Sequence, residues 1–166
     1  LYELSKKNIS SLIIDYTDGF KSNQLESQFK DLIGNKLNQF YLIRDKIGIN
    51  PFKMNEIVLD ENYTRKEKPY DVAERIKTVI SAIYSSLGIQ QLNTIYNAVQ
   101  SGVEEYGEEM DFDILKQKLI EDESGYSDTA LSQLNSFFNQ HPFKFDKDFS
   151  WEEIDKNNGN VNVIQL

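Results

Sequence analysis

The feature that most constrains the fold is the apolar run at residues 9–15, which an aspartate-rich turn follows at once. The run reads ISSLIID, and its β-branched residues and short length predict a strand buried on both faces of a parallel sheet. Asp15 ends this strand, and Asp18 and Gly19 follow in the turn. Open α/β sheets bind ligands outside the carboxyl ends of their strands. We therefore expect this segment to deliver carboxylates to a functional edge.

The first 54 residues alternate helix and strand in the manner of an α/β protein. Ser22 is placed to cap a helix whose apolar residues recur at helical spacing up to Gly34. A second strand is predicted at residues 39–43. The sequence therefore predicts an α/β fold in which residues 1–54 are part of a sheet domain, in the order helix, strand, helix, strand.

Residues 55–145 follow a different pattern and predict a mainly helical insertion. After a polar connector at residues 61–68, apolar residues recur at helical spacing in four successive segments. Pro69 suits the first turn of the first helix, and Asp111 and Ser127 can cap the third and fourth. We expect about four helices here.

The chain returns to the sheet at residues 146–166. A capping-box spacing predicts a brief helical turn at residues 150–153, and residues 161–166 predict a third strand that no helix follows. At the other end, residues 1–7 read as the end of a helix, because no capping residue precedes Leu1. We therefore expect the chain to be an internal piece of a domain whose site is completed elsewhere.

Composition limits the classes of function. With 27 acidic and 18 basic side chains, the chain has a net charge of −9, which opposes the basic surface of a stand-alone DNA-binding domain. It contains no cysteine, and hence neither a disulfide nor a thiolate nucleophile. No apolar run is long enough to span a bilayer, and no leader resembles a signal peptide. We expect a cytoplasmic protein with no membrane role.

Motifs that the chain lacks exclude several kinds of site within it. None of its eight glycines is followed by lysine, so it contains no phosphate-binding P-loop. It has no zinc-ligand pattern and no nucleophile elbow of the serine hydrolases. His141 is the only histidine, and without a nucleophile or metal partner we expect it to be structural.

Asp15 and Asp18 are the best candidates for chemistry. At the end of a strand, with Gly19 permitting a tight loop, a carboxylate can coordinate Mg²⁺ or orient water beside a phosphate. The alternative is that both aspartates only accept backbone hydrogen bonds within the turn. The spacing of the residues does not decide between these readings.

Three short segments together resemble a known class of ATPases. In chain order they are the strand ending in Asp15 with its Gly19 turn, the element Asn50-Pro51-Phe52, and the strand at residues 161–166. They resemble the HerA/FtsK class of P-loop DNA-translocating ATPases. Within it they are most similar to the HerA-like ATPases of DNA phosphorothioation-dependent restriction systems, the DptH type.

The resemblance implies that the complete protein is an ATP-dependent DNA helicase or translocase. Such a protein would act as a homo-hexamer with ATP and Mg²⁺, together with other restriction proteins. Asp15 would lie near the metal and water of the nucleotide, and Asn50-Pro51-Phe52 would be a structural element. Walker A, Walker B and the arginine finger would lie outside this chain. The chain alone would then bind no cofactor, hydrolyse no ATP and contact DNA only through the full assembly.

Two other functions stay open at this point. Residues 104–128 hold ten acidic side chains and two lysines, which form either a solvated face or a surface that docks a basic partner. In the second case, the helices of residues 69–143 would be a protein-interaction module without catalysis. The other possibility is a self-contained helical protein with no enzymatic role.

Overall fold

The computed structural model describes residues 1–46, 48–143 and 158–166. Within these ranges the protein has a three-stranded parallel sheet, a two-stranded antiparallel sheet and seven α-helices. This architecture confirms the predicted fold class, an α/β sheet with a mainly helical insertion. The helical turn predicted at residues 150–153 lies outside the described residues. None of the helices in these ranges is long and apolar enough to cross a membrane.

The chain forms two compact units. The first consists of residues 1–49 and 142–166, and the second of residues 50–141. The sequence pattern changes near both junctions, at about residues 54 and 145. Each unit has its own cluster of buried apolar side chains.

The first unit is built around the parallel sheet. Its elements are α1 (Tyr2–Lys6), β1 (Ser11–Asp15), α2 (Ser27–Ile33), β2 (Leu37–Tyr41), α3 (Leu42–Asp45) and the final strand β5 (Val161–Gln165). β5 lies between β1 and β2, and all three strands run parallel. In this register Asp15 of β1 is paired with Gln165 of β5. The two side chains are therefore neighbours at the carboxyl edge of the sheet.

β1 is buried on only one of its two faces. The prediction of a strand buried on both faces was therefore wrong. Leu12 and Ile14 are 43% and 60% exposed. The opposite face is the one that packs, because Ile13 contacts a cluster that includes Ile33 of α2 and Val163. β1 also lies at an edge of the described sheet. A short apolar run therefore identified the strand but not its surroundings.

Two element boundaries in this unit also differ from prediction. The second helix begins at Ser27 rather than after Ser22, because the Ser22 hydroxyl donates to the Gln39 side chain at 2.7 Å instead of capping a helix. The second strand lies two residues earlier than predicted, since Leu42 begins the short helix α3.

The second unit combines a hairpin with four helices. Its elements are β3 (Glu56–Asp60), β4 (Tyr63–Lys66), α4 (Pro69–Ile83), α5 (Ile89–Tyr106), α6 (Phe112–Ile120) and α7 (Ser127–Gln140). The four helices occupy the four predicted segments. Their inward faces form one core, whose fully buried members include Phe52, Val72, Ile95 and Leu115.

The predicted polar connector at residues 61–68 was wrong, because it contains strand β4, which pairs antiparallel with β3. Charged side chains concealed this strand in the sequence. Arg65 makes a bidentate contact with Asp71 of α4, with N···O distances of 2.6 and 2.8 Å. Arg65, a charged residue whose type suggests exposure to solvent, thus holds the hairpin against α4.

Candidate functional site

Asp15 is the hub of a hydrogen-bonded loop at the carboxyl edge of the parallel sheet. The residue is only 4% exposed. Its Oδ1 accepts hydrogen bonds from the backbone N–H and the hydroxyl of Thr17, both at 2.9 Å. Its Oδ2 accepts from the backbone N–H of Phe20 at 2.8 Å and from Nε2 of Gln165 at 3.1 Å. A carboxylate offers about four lone-pair positions, and four donors occupy them here.

These bonds keep the Asp15 carboxylate ionised. The backbone N–H of Phe20 has the largest effect, and with the bonds from Thr17 and Gln165 it outweighs the opposing effect of burial. The pKa of Asp15 is consequently lowered to about 2. The site therefore holds a fixed negative charge at neutral pH.

Asp18 has a different place in the same turn. Its side chain is 56% exposed and pairs with Lys21, with an Oδ2···Nζ distance of 2.8 Å. Asp18 is also the residue of this turn with a positive φ, of 62°. The left-handed conformation in this turn is thus adopted by Asp18, whose small polar side chain tolerates it. The two aspartates are separated by the fold, with Asp15 buried inside the turn and Asp18 on its rim.

The sequence did not identify the two glutamines that support this turn. Gln39 of β2 donates from Nε2 to the carbonyl oxygen of Phe20, and its Oε1 accepts from the Ser22 hydroxyl. Gln165 of β5 donates to Asp15. Both glutamines lie within predicted strands. For Gln165, the signal that could have found it was a polar side chain at the carboxyl end of a strand; Gln39, in the middle of β2, gave no such signal.

Among the described residues, the side-chain amide of Gln165 has a hydrogen-bond partner for its nitrogen but none for its oxygen. The side chain is 2% exposed, and within the part of the chain that the structure describes its Oε1 has no hydrogen-bond partner. A buried acceptor without a partner is uncommon in folded proteins and calls for an explanation.

The element Asn50-Pro51-Phe52 lies in the second unit and has the contacts of a structural element. Asn50 accepts from the backbone N–H of Phe52 and donates to the carbonyl oxygen of Glu108, both at 2.8 Å. Phe52 is fully buried, and its ring stands edge-on to Phe112 at a centroid distance of 4.9 Å. These contacts anchor the first residues of the second unit to its helical core.

The acidic residues of positions 104–128 line the surface of the second unit around α5 and α6. Lys118 pairs with Glu105 at 2.5 Å, and Lys66 pairs with Glu108 at 3.4 Å. Asp111 caps α6 by accepting from the backbone N–H of Ile114 at 2.8 Å, as predicted. Beside these residues a cavity of about 290 Å³ lies between the two helices, and its lining includes Asn97, Ser101, Lys118, Glu121 and Asp122.

His141 ends α7 in a left-handed conformation, and its Nε2 lies 3.7 Å from a carboxylate oxygen of Asp113. Across the described ranges, no group of three or more histidine, aspartate or glutamate side chains is placed to hold a metal ion. No family model matches the sequence, and no curated protein matches it significantly.

Proposed function

We propose that this chain forms part of a HerA-like ATP-dependent DNA translocase or helicase that acts in phosphorothioation-dependent restriction in the cytoplasm. One observation carries the proposal: Asp15, a buried carboxylate, ends a strand of a parallel sheet and is bonded to the neighbouring strand through Gln165. Edges of this kind are where open α/β sheets bind their ligands. The identity of the ligand, ATP, comes from the resemblance described above.

Mg²⁺ accompanies ATP in such enzymes, and the residues at this edge can be tested for their fit to it. Asp15 supplies a negative charge, but four protein donors occupy its lone pairs. Gln165 supplies an acceptor that has no partner among the described residues. Mg²⁺ commonly keeps several of its water ligands. Oε1 of Gln165 is buried from solvent, and the lone pairs of Asp15 are occupied. The described residues therefore supply a negative charge at this edge but no accessible ligand for the ion, whose ligands would come from other segments of the complete protein.

The remaining parts of the machinery belong, in this proposal, to other segments of the complete protein. These parts are the phosphate-binding loop, Walker B and an arginine finger, together with the surfaces that contact DNA and form a homo-hexamer. The net charge of −9 supports this division, because DNA repels an acidic surface. ATP and Mg²⁺ would be cofactors of the complete protein, and other restriction proteins would be its partners.

ATP turnover by the protein that carries the phosphate loop tests the proposal. Asp15→Asn should lower DNA-stimulated hydrolysis about a hundredfold, since one misplaced metal or water contact costs on the order of 3 kcal/mol of transition-state stabilisation. Asp18→Asn is the matched control, because Asp18 lies on the exposed rim of the same turn. Unchanged turnover in Asp15→Asn would remove the role of this residue. Absence of DNA-stimulated turnover in the wild type would contradict the function itself.

A second candidate function is the docking of a basic partner protein on the acidic residues at positions 104–128. It is supported by the distribution of charge, because the described ion pairs with lysine involve only Glu105 and Glu108 among these ten acids. Calorimetry with basic proteins of the same restriction system, at several salt concentrations, tests this function. Binding should weaken as salt rises. If no binding occurs even at low salt, the docking function is excluded.

A further inference from the structure

The outer edge of β1 carries backbone groups that no other strand of the described residues pairs with. β5 lies on one side of β1, where the backbone N–H of Ser11 donates to the carbonyl oxygen of Asn160 at 2.8 Å. Backbone groups alternate in direction along a strand, so the N–H and C=O groups of Leu12 and Ile14 face away from β5. β1 therefore offers two donors and two acceptors at its outer edge.

The side chains at this edge are apolar and accessible. Leu12 and Ile14 are 43% and 60% exposed, on the same face of the sheet. Folded proteins protect such edges with lysine, proline or a β-bulge. β1 reads SLIID and pairs with β5 in unbroken register, so it has none of these protections. An edge of this kind favours the addition of another strand.

The pattern of β1 makes it complementary to a second copy of itself. In an antiparallel pairing centred on Ile13, with a two-fold axis perpendicular to the sheet, Leu12 of each copy lies opposite Ile14 of the other. Residues paired in this way exchange both of their backbone hydrogen bonds. Their side chains lie on one face as apolar cross-strand pairs, and the symmetry repeats each pair twice. The outward groups of both copies are then satisfied.

The charges near β1 agree with this antiparallel arrangement. Lys6 and Lys7 precede the strand, whereas Asp15 and Asp18 lie at its end and in the turn after it. Antiparallel pairing brings the basic end of each copy toward the acidic end of the other, and parallel pairing would bring like charges together. The first unit holds ten basic and eleven acidic side chains. Its near-neutral charge does not oppose the approach of a second copy.

We propose that β1 pairs antiparallel with β1 of a second copy and forms a symmetric dimer with a continuous sheet of six strands, three from each copy. This pairing goes beyond the proposed function and does not depend on it. One five-residue strand provides a small interface. The dimer is therefore weak, and its population depends on protein concentration.

Hydrogen exchange of the wild-type chain in dilute and concentrated solution tests the edge, because neighbouring residues serve as controls. The amides of Leu12 and Ile14 should slow by the factor by which the monomer fraction falls. The amide of Ile13, which faces β5, should not change. Sedimentation velocity from about 10 μM to about 1 mM measures that fraction. Absence of a dimer at 1 mM would overturn the proposal, and so would a dimer in which Leu12 and Ile14 stay unprotected.

A lysine variant and a matched control separate edge pairing from general apolar association. Ile14→Lys should raise the dissociation constant of the dimer about tenfold, because the lost apolar pair occurs twice and lysine protects an edge. Ile43→Lys should leave it unchanged, since Ile43 lies on α3 of the same unit and is 56% exposed. Equal weakening by both variants would overturn the proposal. If Ile14→Lys does not fold, the wild-type exchange experiment decides.

Nuclear Overhauser effects between copies test the direction of the pairing. In a mixture of ¹³C-labelled and unlabelled chains, the methyl groups of Leu12 in one copy should contact those of Ile14 in the other. Contacts of Leu12 with Leu12 would indicate a parallel or shifted pairing and would overturn the proposed arrangement. Contacts confined to residues 104–128 would place the interface on the second unit and would overturn it as well.

Discussion

Arg75 and Glu67 form an ion pair that fixes the entry to the second unit. Nη2 of Arg75 lies 2.9 Å from Oε2 of Glu67, whose side chain is only 8% exposed. The same guanidinium donates to the carbonyl oxygens of Pro51 and Lys53, at 2.7 and 2.9 Å. Glu67 in turn accepts from the backbone N–H of Asn55 at 2.8 Å. One charged pair therefore ties the segment around Pro51 to α4.

Glu67→Gln should lower the free energy of unfolding by about 2 kcal/mol, because it leaves a partly buried guanidinium without its anion. Glu74→Gln is the control, since Glu74 pairs with Lys77 at 3.5 Å and is 61% exposed. That change should cost less than about 0.5 kcal/mol. Urea unfolding followed by circular dichroism measures both. Equal effects would contradict a special role for the Arg75 pair.

Gly159 lies so close to the backbone of Ser5 that a residue with a side chain would not fit at its position. Its φ is +76°, and a Cβ atom on it would come within 2.3 Å of the carbonyl oxygen of Ser5. Gly159→Ala should therefore lower the free energy of unfolding of the first unit by about 3 kcal/mol, through both backbone strain and the clash. Hydrogen exchange of β1 and β5 amides reports on this unit.

Gly34→Ala separates the two contributions at Gly159. Gly34 also has a positive φ, of +58°, but a Cβ atom on it would meet nothing within 4 Å. Its substitution should cost only the conformational term, about 1 kcal/mol. If Gly34→Ala proved as costly as Gly159→Ala, the contact with Ser5 would contribute nothing.

The helical insertion could be predicted from the sequence because helix periodicity reports burial directly. In α4, Val72, Ile76 and Ile80 follow one another at intervals of four residues, and all three are buried. The hairpin could not be predicted, because its exposed face carries charged residues and Arg65 pairs with a helix that follows in sequence. Ser127 illustrates a smaller limit: it is the first residue of α7 rather than its cap. Helix ends are the least sharply defined part of a helix, so one-residue shifts of this kind are common.

The candidate site was predictable only in part. Asp15 stood out because an aspartate ends a short apolar run. Its partner Gln165 is 150 positions away in the sequence, and only the strand order brings the two together. A single sequence does not show that β5 inserts between β1 and β2. The hydrogen bond between Gln165 and Asp15 therefore could be found only from the structure.

Gly102 of α5 lies against Met110, and its substitution tests how tightly the helical core is packed. A Cβ atom on Gly102 would come within 2.5 Å of Sδ of Met110, which is fully buried. Alanine is a better helix former by about 1 kcal/mol, but the clash should cost about 2 kcal/mol. Gly102→Ala should therefore be net destabilising by about 1 kcal/mol in urea unfolding.

The double variant Gly102→Ala with Met110→Ala checks the cause. Removal of the long Met110 side chain leaves space that the new methyl group partly fills, so the two changes should cost less together than the sum of their separate effects. Strict additivity would show that Met110 yields to the methyl group without strain.

Asp15 should make the stability of the first unit depend on pH in the acid range. Its pKa in the folded protein is about 2, below the value of about 3.9 for an unfolded chain. Its stabilising contribution is therefore complete above the unfolded pKa and is lost as the pH falls from about 4 to 2.

Asp15→Asn does not titrate. The stability gap, meaning the difference in free energy of unfolding between wild type and variant, should therefore shrink over this interval. Asp71 has a similarly lowered pKa, owing to its bonds with Arg65, but it titrates in both proteins and cancels in the difference. Hydrogen exchange of β1 amides at pH 6, 4, 3 and 2 measures the gap. A gap that stays constant would show that the hydrogen bonds to Asp15 do not favour its ionised form.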